Sequence, residues 1–219
     1  MKRMIVICEG QTEQEFCNTI LTPYFSPMDI FLSAPLIKRS HGGIVPWPHL
    51  LSQIDIHLRS ERDVYVTTLI DYYGITEDHK FPCWAESMRE PHVTERVKMV
   101  ERGMLQDVRE ELRYRFLPYI QLHEFEGLLF SSGDVFERVI PKEDLVGKEE
   151  LAATLAKFEN PEMINTSKET SPSHRLERII RGYDKVVYGN YLAESIGLNR
   201  IRERCPRFNE WIERLRTIK

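Results

Sequence analysis

The class of fold is decided by the stretch Met4-Ile5-Val6-Ile7-Cys8-Glu9-Gly10. Its first five residues form a continuously apolar run rich in β-branched side chains, which is typical of a strand buried on both faces of a parallel sheet. The acidic residue and the glycine end this run. Thr12 and Glu15 then form a capping-box pattern that predicts a helix over residues 13–24. The opening therefore predicts a strand, a tight turn and a helix.

The same alternation continues along the chain. Apolar and β-branched runs predict further strands, helical spacing of apolar residues predicts helices between them, and a long irregular connection is expected over residues 72–93. The strands are predicted at 31–39, 64–70 and 116–122, and the helices at 49–59 and 94–113. Later helices are predicted at 148–158, 173–181, 187–196 and 207–217. We expect an α/β domain over residues 1–140, with a mostly parallel sheet flanked by helices, and a helical C-terminal extension over residues 141–219 packed on it.

The charge balance excludes a globally basic or acidic protein. The chain has 30 Lys and Arg against 34 Asp and Glu, for a net charge of -4, so nothing in the average indicates a nucleic-acid or membrane binder. Residues 168–219 alone carry 12 Lys and Arg against 7 Asp and Glu. This basic end either contacts a phosphate backbone or an acidic partner, or simply solvates exposed helices.

Cysteine usage and hydropathy bear on the compartment. The four cysteines contain no C-x-x-C pair, so neither a zinc cluster nor a disulfide framework is indicated. No run approaches 18 apolar residues, and the first apolar stretch is too short for a signal peptide. We expect a soluble, cytoplasmic protein with no membrane association.

Acidic residues follow three of the predicted strands. Glu9 and Asp71 each come directly after an apolar run, Glu124 and Glu126 follow the run that ends at Leu122, and Glu13 lies one helical turn beyond Glu9. The carboxyl ends of parallel strands meet at one edge of the sheet. Clustered carboxylates suit a hard cation such as Mg²⁺ or Mn²⁺, and a pair of such ions can support cleavage of a phosphodiester. Helix-dipole and capping roles are the alternative for each acid taken singly.

Three segments carry a resemblance to a known family: residues 9–16 (EGQTEQEF), 67–74 (TTLIDYYG) and 119–130 (YIQLHEFEGLLF). Together they resemble the DUF4276 family, and later segments around residues 160–165, 171–176 and 196–208 extend the resemblance over nearly the whole chain. The family is described as similar to Toprim domains, the metal-dependent modules of topoisomerases, primases and overcoming-lysogenization-defect (OLD) nucleases. The resemblance therefore implies that residues 1–140 form a Toprim-like domain.

The resemblance also implies roles for particular residues. Glu9 matches the glutamate after the first Toprim strand, Asp71 matches the first acid of the D-x-D motif, and Glu9 with Glu13 reproduces the E-x-x-x-E spacing of OLD-type nucleases. Tyr73 departs from the pattern, because it stands where the second acid of D-x-D is expected. Glu124 or Glu126 then supplies the missing carboxylate, or the site holds one metal weakly.

The sequence contains further candidate site residues besides these carboxylates. Arg175 or Lys168 is the cation expected to steady the scissile phosphate. His123 is either a metal ligand or general base, or a structural hydrogen-bonding residue. Tyr72, Tyr73 and Trp84 either stack nucleic-acid bases or pack in the protein.

Two functions follow from this reading. The first is a nuclease with Glu9, Glu13, Asp71, Glu124 and Glu126 as metal ligands and catalytic groups, and with Arg175 as a further catalytic group. Its substrate is DNA or RNA, and the family resemblance implies an ABC/AAA-type ATPase partner and a role in phage defence. A homo-oligomer is compatible with this reading. The second is a non-catalytic regulatory or sensor subunit with a degenerate metal site, which Tyr73 favours.

Overall fold

The stretch that decides the fold forms a buried central strand. The computed structural model describes residues 2–38, 43–165 and 167–218, without the side chain of Lys168. Strand β1 (Lys2–Cys8) is buried from Met4 onward, as its apolar composition predicts. It pairs in parallel with β2 (Ile30–Ser33) on one side and with β3 (Val64–Asp71) on the other. β1 therefore lies inside the sheet, which is why both of its faces are apolar.

All strand pairings in the described sheet are parallel. β4 (Phe116–Leu117) and β5 (Ile120–Gln121) both pair with β3, which gives the order β2-β1-β3-β4 with β5 beyond this path. The predicted α/β class, with a mostly parallel sheet and flanking helices, is confirmed. Helices α3 (Trp47–Ser60) and α5 (Val93–Asp107) contribute Leu50, Ile54, Val97 and Val100 to the same buried cluster as Ile5 and Ile7 of β1.

Two predicted strands are shorter than expected because proline interrupts them. The strand predicted over 116–122 divides at Pro118, which has no N–H to donate to a sheet. The hydroxyl of Thr68 in β3 bridges this gap, because it donates to the Tyr119 carbonyl (2.7 Å) and accepts from the Tyr119 N–H (3.1 Å). The strand predicted over 31–39 ends at Ser33, ahead of Pro35, and residue 39 of that prediction lies outside the described residues.

The first helical segment begins earlier than predicted and is irregular. It comprises α1 (Gln11–Phe16), a π-helical turn at Cys17–Leu21, and α2 (Thr22–Phe25). The predicted Thr12 cap is wrong: Gly10 is the residue before the helix, and its N–H donates to Glu13 Oε2 (2.9 Å). Pro23 cannot donate to the carbonyl four residues earlier, which is a physical reason for the π-helical turn ahead of it.

The connection after β3 contains two short helical segments. It contains a 3₁₀ turn at Glu77–His79 and the short helix α4 (Trp84–Ser87). The helix predicted over 94–113 ends at Asp107, where Val108 turns to an extended conformation, and a 3₁₀ segment follows at Glu110–Arg115.

The chain divides into two compact units, which are Met1–Leu122 with Arg214–Lys219, and His123–Glu213. The second unit begins with a 3₁₀ segment at Phe125–Ser131 and is otherwise helical, as predicted. Its helices are α6 (Gly133–Val139), α7 (Lys148–Lys157), α8 (Pro172–Ile179), α9 (Lys185–Ile196), α10 (Leu198–Arg204) and most of α11 (Pro206–Arg216). The sequence did not predict α10. The domain boundary predicted at residue 140 stays a prediction.

Within the described part of the chain, no helix combines the length and the apolar character that a membrane span requires.

Candidate functional site

Glu9 and Asp71 lie together where β1 and β3 end. Cys8, the last residue of β1, is paired with Leu69 in the β1–β3 ladder, and the Glu9 N–H donates to the Leu69 carbonyl (3.1 Å). The carboxylate of Glu9 then turns towards β3, because the Asp71 N–H donates to Glu9 Oε2 (3.0 Å). The Glu9 carboxylate is thus hydrogen-bonded to the backbone of Asp71, an acidic residue 62 positions further along the chain. The structure places them at the carboxyl edge of the sheet, where reactive groups of α/β folds collect.

Glu13 is fixed next to Glu9 by the backbone. Its side chain is buried, and its Oε2 accepts the Gly10 N–H. A methyl group added at Gly10 would lie 3.1 Å from that oxygen, so the close approach of backbone to carboxylate favours glycine there. Glu13 thereby stabilises the first turn of α1, where a negative charge also suits the helix dipole.

A tight turn follows Asp71 and covers Glu9. The Ile75 N–H donates to the Tyr72 carbonyl (3.1 Å), which closes the turn. A methyl group added at Gly74 would lie 3.5 Å from Glu9 Oε1. One oxygen of Glu9 therefore faces Asp71 and the other faces the turn.

The thiol of Cys8 belongs to the sheet and is not a free nucleophile. Its sulfur lies 3.8 Å from that of Cys17, and both residues are buried. Burial raises the pKa of the Cys8 thiol, and the neighbouring Cys17 and Glu13 raise it further. A protonated thiol is a poor ligand for a hard cation, so the carboxylates remain the ligands to consider.

Glu124 and Glu126 belong to the second unit. Glu124 is buried and accepts two hydrogen bonds from one residue: the Ser173 N–H donates to its Oε2 (2.9 Å) and the Ser173 hydroxyl to its Oε1 (3.1 Å). Ser173 lies in the first turn of α8, where backbone N–H groups lack helical partners. Glu124 therefore caps α8 from a distance.

Glu126 is buried beside a lysine. Lys185 Nζ lies 3.3 Å from Glu126 Oε1, and the lysine side chain is 51% exposed whereas that of Glu126 is 4% exposed. Burial raises the pKa of Glu126 although Lys185 opposes the shift. Burial also raises the pKa of Tyr183, with further contributions from the charges of Glu126 and Glu124. Glu124 and Glu126 are thus two buried acids of the second unit, and the half-exposed Lys185 contacts Glu126.

His123 precedes this cluster in a strained backbone conformation. Its φ is 63°, which is unusual for a residue with a side chain. Burial lowers the pKa of His123 although Glu124 opposes the shift. Its Nδ1 lies 3.4 Å from Asn165 Nδ2, so the ring takes part in the local hydrogen bonding of the second unit.

Arg175 is engaged by its own unit. Its Nε donates to the Thr170 carbonyl (2.9 Å) and its Nη1 to the Thr154 hydroxyl (3.1 Å). Glu150 lies 3.5 Å away and also pairs with Arg178. The predicted alternative, Lys168, has its side chain outside the described residues. Lys185, which the sequence did not single out, is a cation that lies 3.3 Å from a candidate acid, Glu126.

The candidate residues are thus distributed between the units: Glu9, Glu13 and Asp71 lie in the first, and Glu124, Glu126 and Arg175 in the second. Among the described residues, no group of three or more His, Cys, Asp and Glu side chains is arranged to hold a metal ion. Mg²⁺ is, however, usually held by one or two carboxylates, with waters and substrate phosphates completing its shell. Glu9 and Asp71, whose backbone N–H contacts the Glu9 carboxylate, are the pair to consider for that mode of binding. That Glu124 or Glu126 shares a site with Glu9 and Asp71 stays a prediction.

Comparisons with known proteins cover most of the chain. A family model described as "Domain of unknown function (DUF4276)" matches residues 8–216, a range that contains all six candidate residues. The C-terminal region of the Burkholderia pseudomallei OLD protein, a solved structure, is similar at 16% sequence identity and a TM-score of 0.48, with 98% of each chain covered. No curated protein matches the chain significantly.

Proposed function

The chain belongs to the DUF4276 family, and on that premise we propose that it is a metal-dependent nuclease that hydrolyses phosphodiester bonds of DNA or RNA. One observation carries the proposal: at the carboxyl edge of a parallel sheet, the Glu9 carboxylate accepts the backbone N–H of Asp71. The resemblance of the sequence to Toprim domains supports it, since Glu9 and Asp71 are the residues that match the Toprim metal motifs.

The chemistry assigns separate tasks to these residues. Glu9 and Asp71 would hold Mg²⁺ or Mn²⁺, which would supply Lewis-acid chemistry for phosphodiester hydrolysis. Glu9 is the indispensable ligand or general acid/base in this proposal. Hydrogen bonds from Asp71 and Gly10 fix the carboxylates of Glu9 and Glu13. Fixed carboxylates lose little entropy when they engage a cation or a substrate.

The remaining groups are proposed from the family resemblance alone. Glu124 or Glu126 is the further carboxylate, and Arg175 or Lys168 is the cation that steadies the phosphate. Within its own unit Arg175 is only 12% exposed and is held by Thr170 and Thr154.

An ATPase of the ABC/AAA type is the proposed partner, with phage defence as the role. Both rest on the family resemblance. The basic excess over residues 168–219 supports contact with a polyanion or an acidic surface. A homo-oligomer is compatible with the same proposal.

A nicking assay tests the proposed activity. Supercoiled plasmid and a single-stranded RNA are incubated with the protein in Mn²⁺, with and without the ATPase. We expect cleavage that is lost on addition of EDTA and in Glu9→Ala and Asp71→Ala. Glu15→Ala, an exposed glutamate on the same helix as Glu13, is the matched control and keeps full activity. Undiminished cleavage in Glu9→Ala and Asp71→Ala contradicts the proposal.

A regulatory or sensor subunit is the second candidate function. The contacts of the acids in the second unit favour this function. Both oxygens of Glu124 accept hydrogen bonds from Ser173, and Glu126 forms an ion pair with Lys185. Tyr73 in place of an acid has the same implication. In that case the protein changes the ATP hydrolysis rate of the ATPase to the same extent in wild type and in Glu9→Ala.

A further inference from the structure

We propose that the site at Glu9 and Asp71 takes single-stranded nucleic acid as its substrate and that a base of this strand stacks on the exposed ring of Tyr73 in the turn beside Glu9. The inference rests on the nuclease function proposed above, and it gives a role to the residue that replaces the second acid of the D-x-D motif.

Tyr73 is close to Glu9 and Asp71 along the backbone. It is two residues beyond Asp71, which is at most about 7 Å along an extended chain. It is also the neighbour of Gly74, where an added methyl group would lie 3.5 Å from Glu9 Oε1. A base on Tyr73 therefore belongs to a nucleotide next to a phosphate at these acids.

The segment around Tyr73 is anchored by packing. The rings of Tyr72 and Trp84 lie 5.6 Å apart between centroids, and both pack against the core of the first unit. The Tyr72 hydroxyl also lies 3.9 Å from the sulfur of Met88. These contacts hold the connection in place while Tyr73 itself remains 40% exposed. An exposed aromatic ring on a fixed backbone is suited to stacking, because little flexibility is lost on binding.

The stacking contact favours an unpaired strand over a duplex. Arg96 lies beside the neighbouring Tyr72 side chain, so a positive charge near the site can attract the phosphate backbone of either form. The choice between the two forms then depends on the bases. A duplex keeps the faces of its bases inside its own stack, and only an unpaired base offers a face to Tyr73.

Binding to a labelled oligonucleotide tests the inference. Fluorescence anisotropy is measured with a single strand of about 12 nucleotides, as DNA and as RNA, in Ca²⁺ to supply a hard cation. We expect Tyr73→Ala to bind either single strand about 5- to 150-fold more weakly, which corresponds to the usual cost of one lost base stack. Tyr73→Phe keeps the ring and binds within about twofold of wild type. The wild type binds the matching duplex more weakly than the single strand, and Tyr73→Ala does not change duplex binding.

Tyr114→Ala is the matched control. Tyr114 is 69% exposed and lies ahead of β4, whose Phe116 pairs with Val66, away from the end of β3 that carries Asp71. Its removal leaves binding unchanged. The inference is wrong if Tyr73→Ala binds like wild type, if wild type binds no single strand, or if duplex binds equally well. Metal-dependent cleavage that is lost in Glu9→Ala but kept in Tyr73→Ala would leave the nuclease function standing without the stacking role.

Discussion

Removal of the Glu124 side chain gives a direct measure of how much this acid serves the fold. In Glu124→Ala the Ser173 N–H and hydroxyl lose their acceptors at 2.9 Å and 3.1 Å. Hydrogen bonds to a charged group contribute about 1.5–3 kcal/mol each, and a buried N–H left without a partner adds a desolvation cost. Because the two bonds share one carboxylate, we expect a loss of about 2–4 kcal/mol in the stability of α8 rather than a full sum.

The rate of amide hydrogen exchange at Ser173 measures this loss of stability in α8 itself. A loss of about 2–4 kcal/mol accelerates exchange by roughly 30- to 800-fold where exchange follows the opening equilibrium. Glu124→Gln retains an oxygen acceptor for the N–H and a donor for the hydroxyl, so we expect at most about 1 kcal/mol of loss. Ser173→Ala removes only the hydroxyl and serves as the control for half of the interaction. Equal exchange rates in wild type and Glu124→Ala would refute the capping role, and equal losses in the Ala and Gln variants would refute the hydrogen-bond argument.

Two further predictions concern stability. Burial raises the pKa of Glu162 above its ordinary value of 4.5, although backbone N–H groups of Arg207 and Phe208 oppose the shift. The unfolded chain therefore loses this proton first, and wild-type stability falls as pH rises from about 4.5 through the raised pKa. Denaturant unfolding at several pH values should show Glu162→Gln gaining stability relative to wild type over that interval, and a constant difference would contradict the burial argument. Gly147→Ala would place a methyl group 2.7 Å from the Ile179 Cα, so we expect a loss of about 1–3 kcal/mol in the same assay. Gly133→Ala meets only the flexible end of Leu155 at 2.4 Å and should cost less; equal costs would contradict this reasoning.

The elements that the sequence predicted well are those with a strong local pattern. β1, α3 and β3 have continuous apolar runs or a clear helical stripe, and their observed bounds lie close to the predicted ones. The predictions that were wrong turned on single residues. Pro118 divides one strand, and Gly10 rather than Thr12 precedes the first helix. Local patterns do not encode which backbone group a side chain will reach.

The candidate site residues also differ in how well the sequence predicted their surroundings. The position of Glu9 and Asp71 at adjacent strand ends followed from a topological rule for parallel sheets. The partners of Glu124 and Glu126 did not, because Ser173 and Lys185 lie 49 and 59 positions further along the chain. No spacing motif connects such residues. Their contacts depend on how the second unit packs.

The most direct test of the central claim is a calorimetric titration of Mn²⁺ into the purified protein. The account predicts binding to the wild type with a dissociation constant below about 1 mM, which is lost in Glu9→Gln. This variant keeps an acceptor for the Asp71 N–H and removes only the charge. Glu15→Gln, which removes an equivalent charge from an exposed position on α1, should bind as the wild type does. Equal binding by the wild type and Glu9→Gln, or no binding by the wild type even with an oligonucleotide present, would contradict the account.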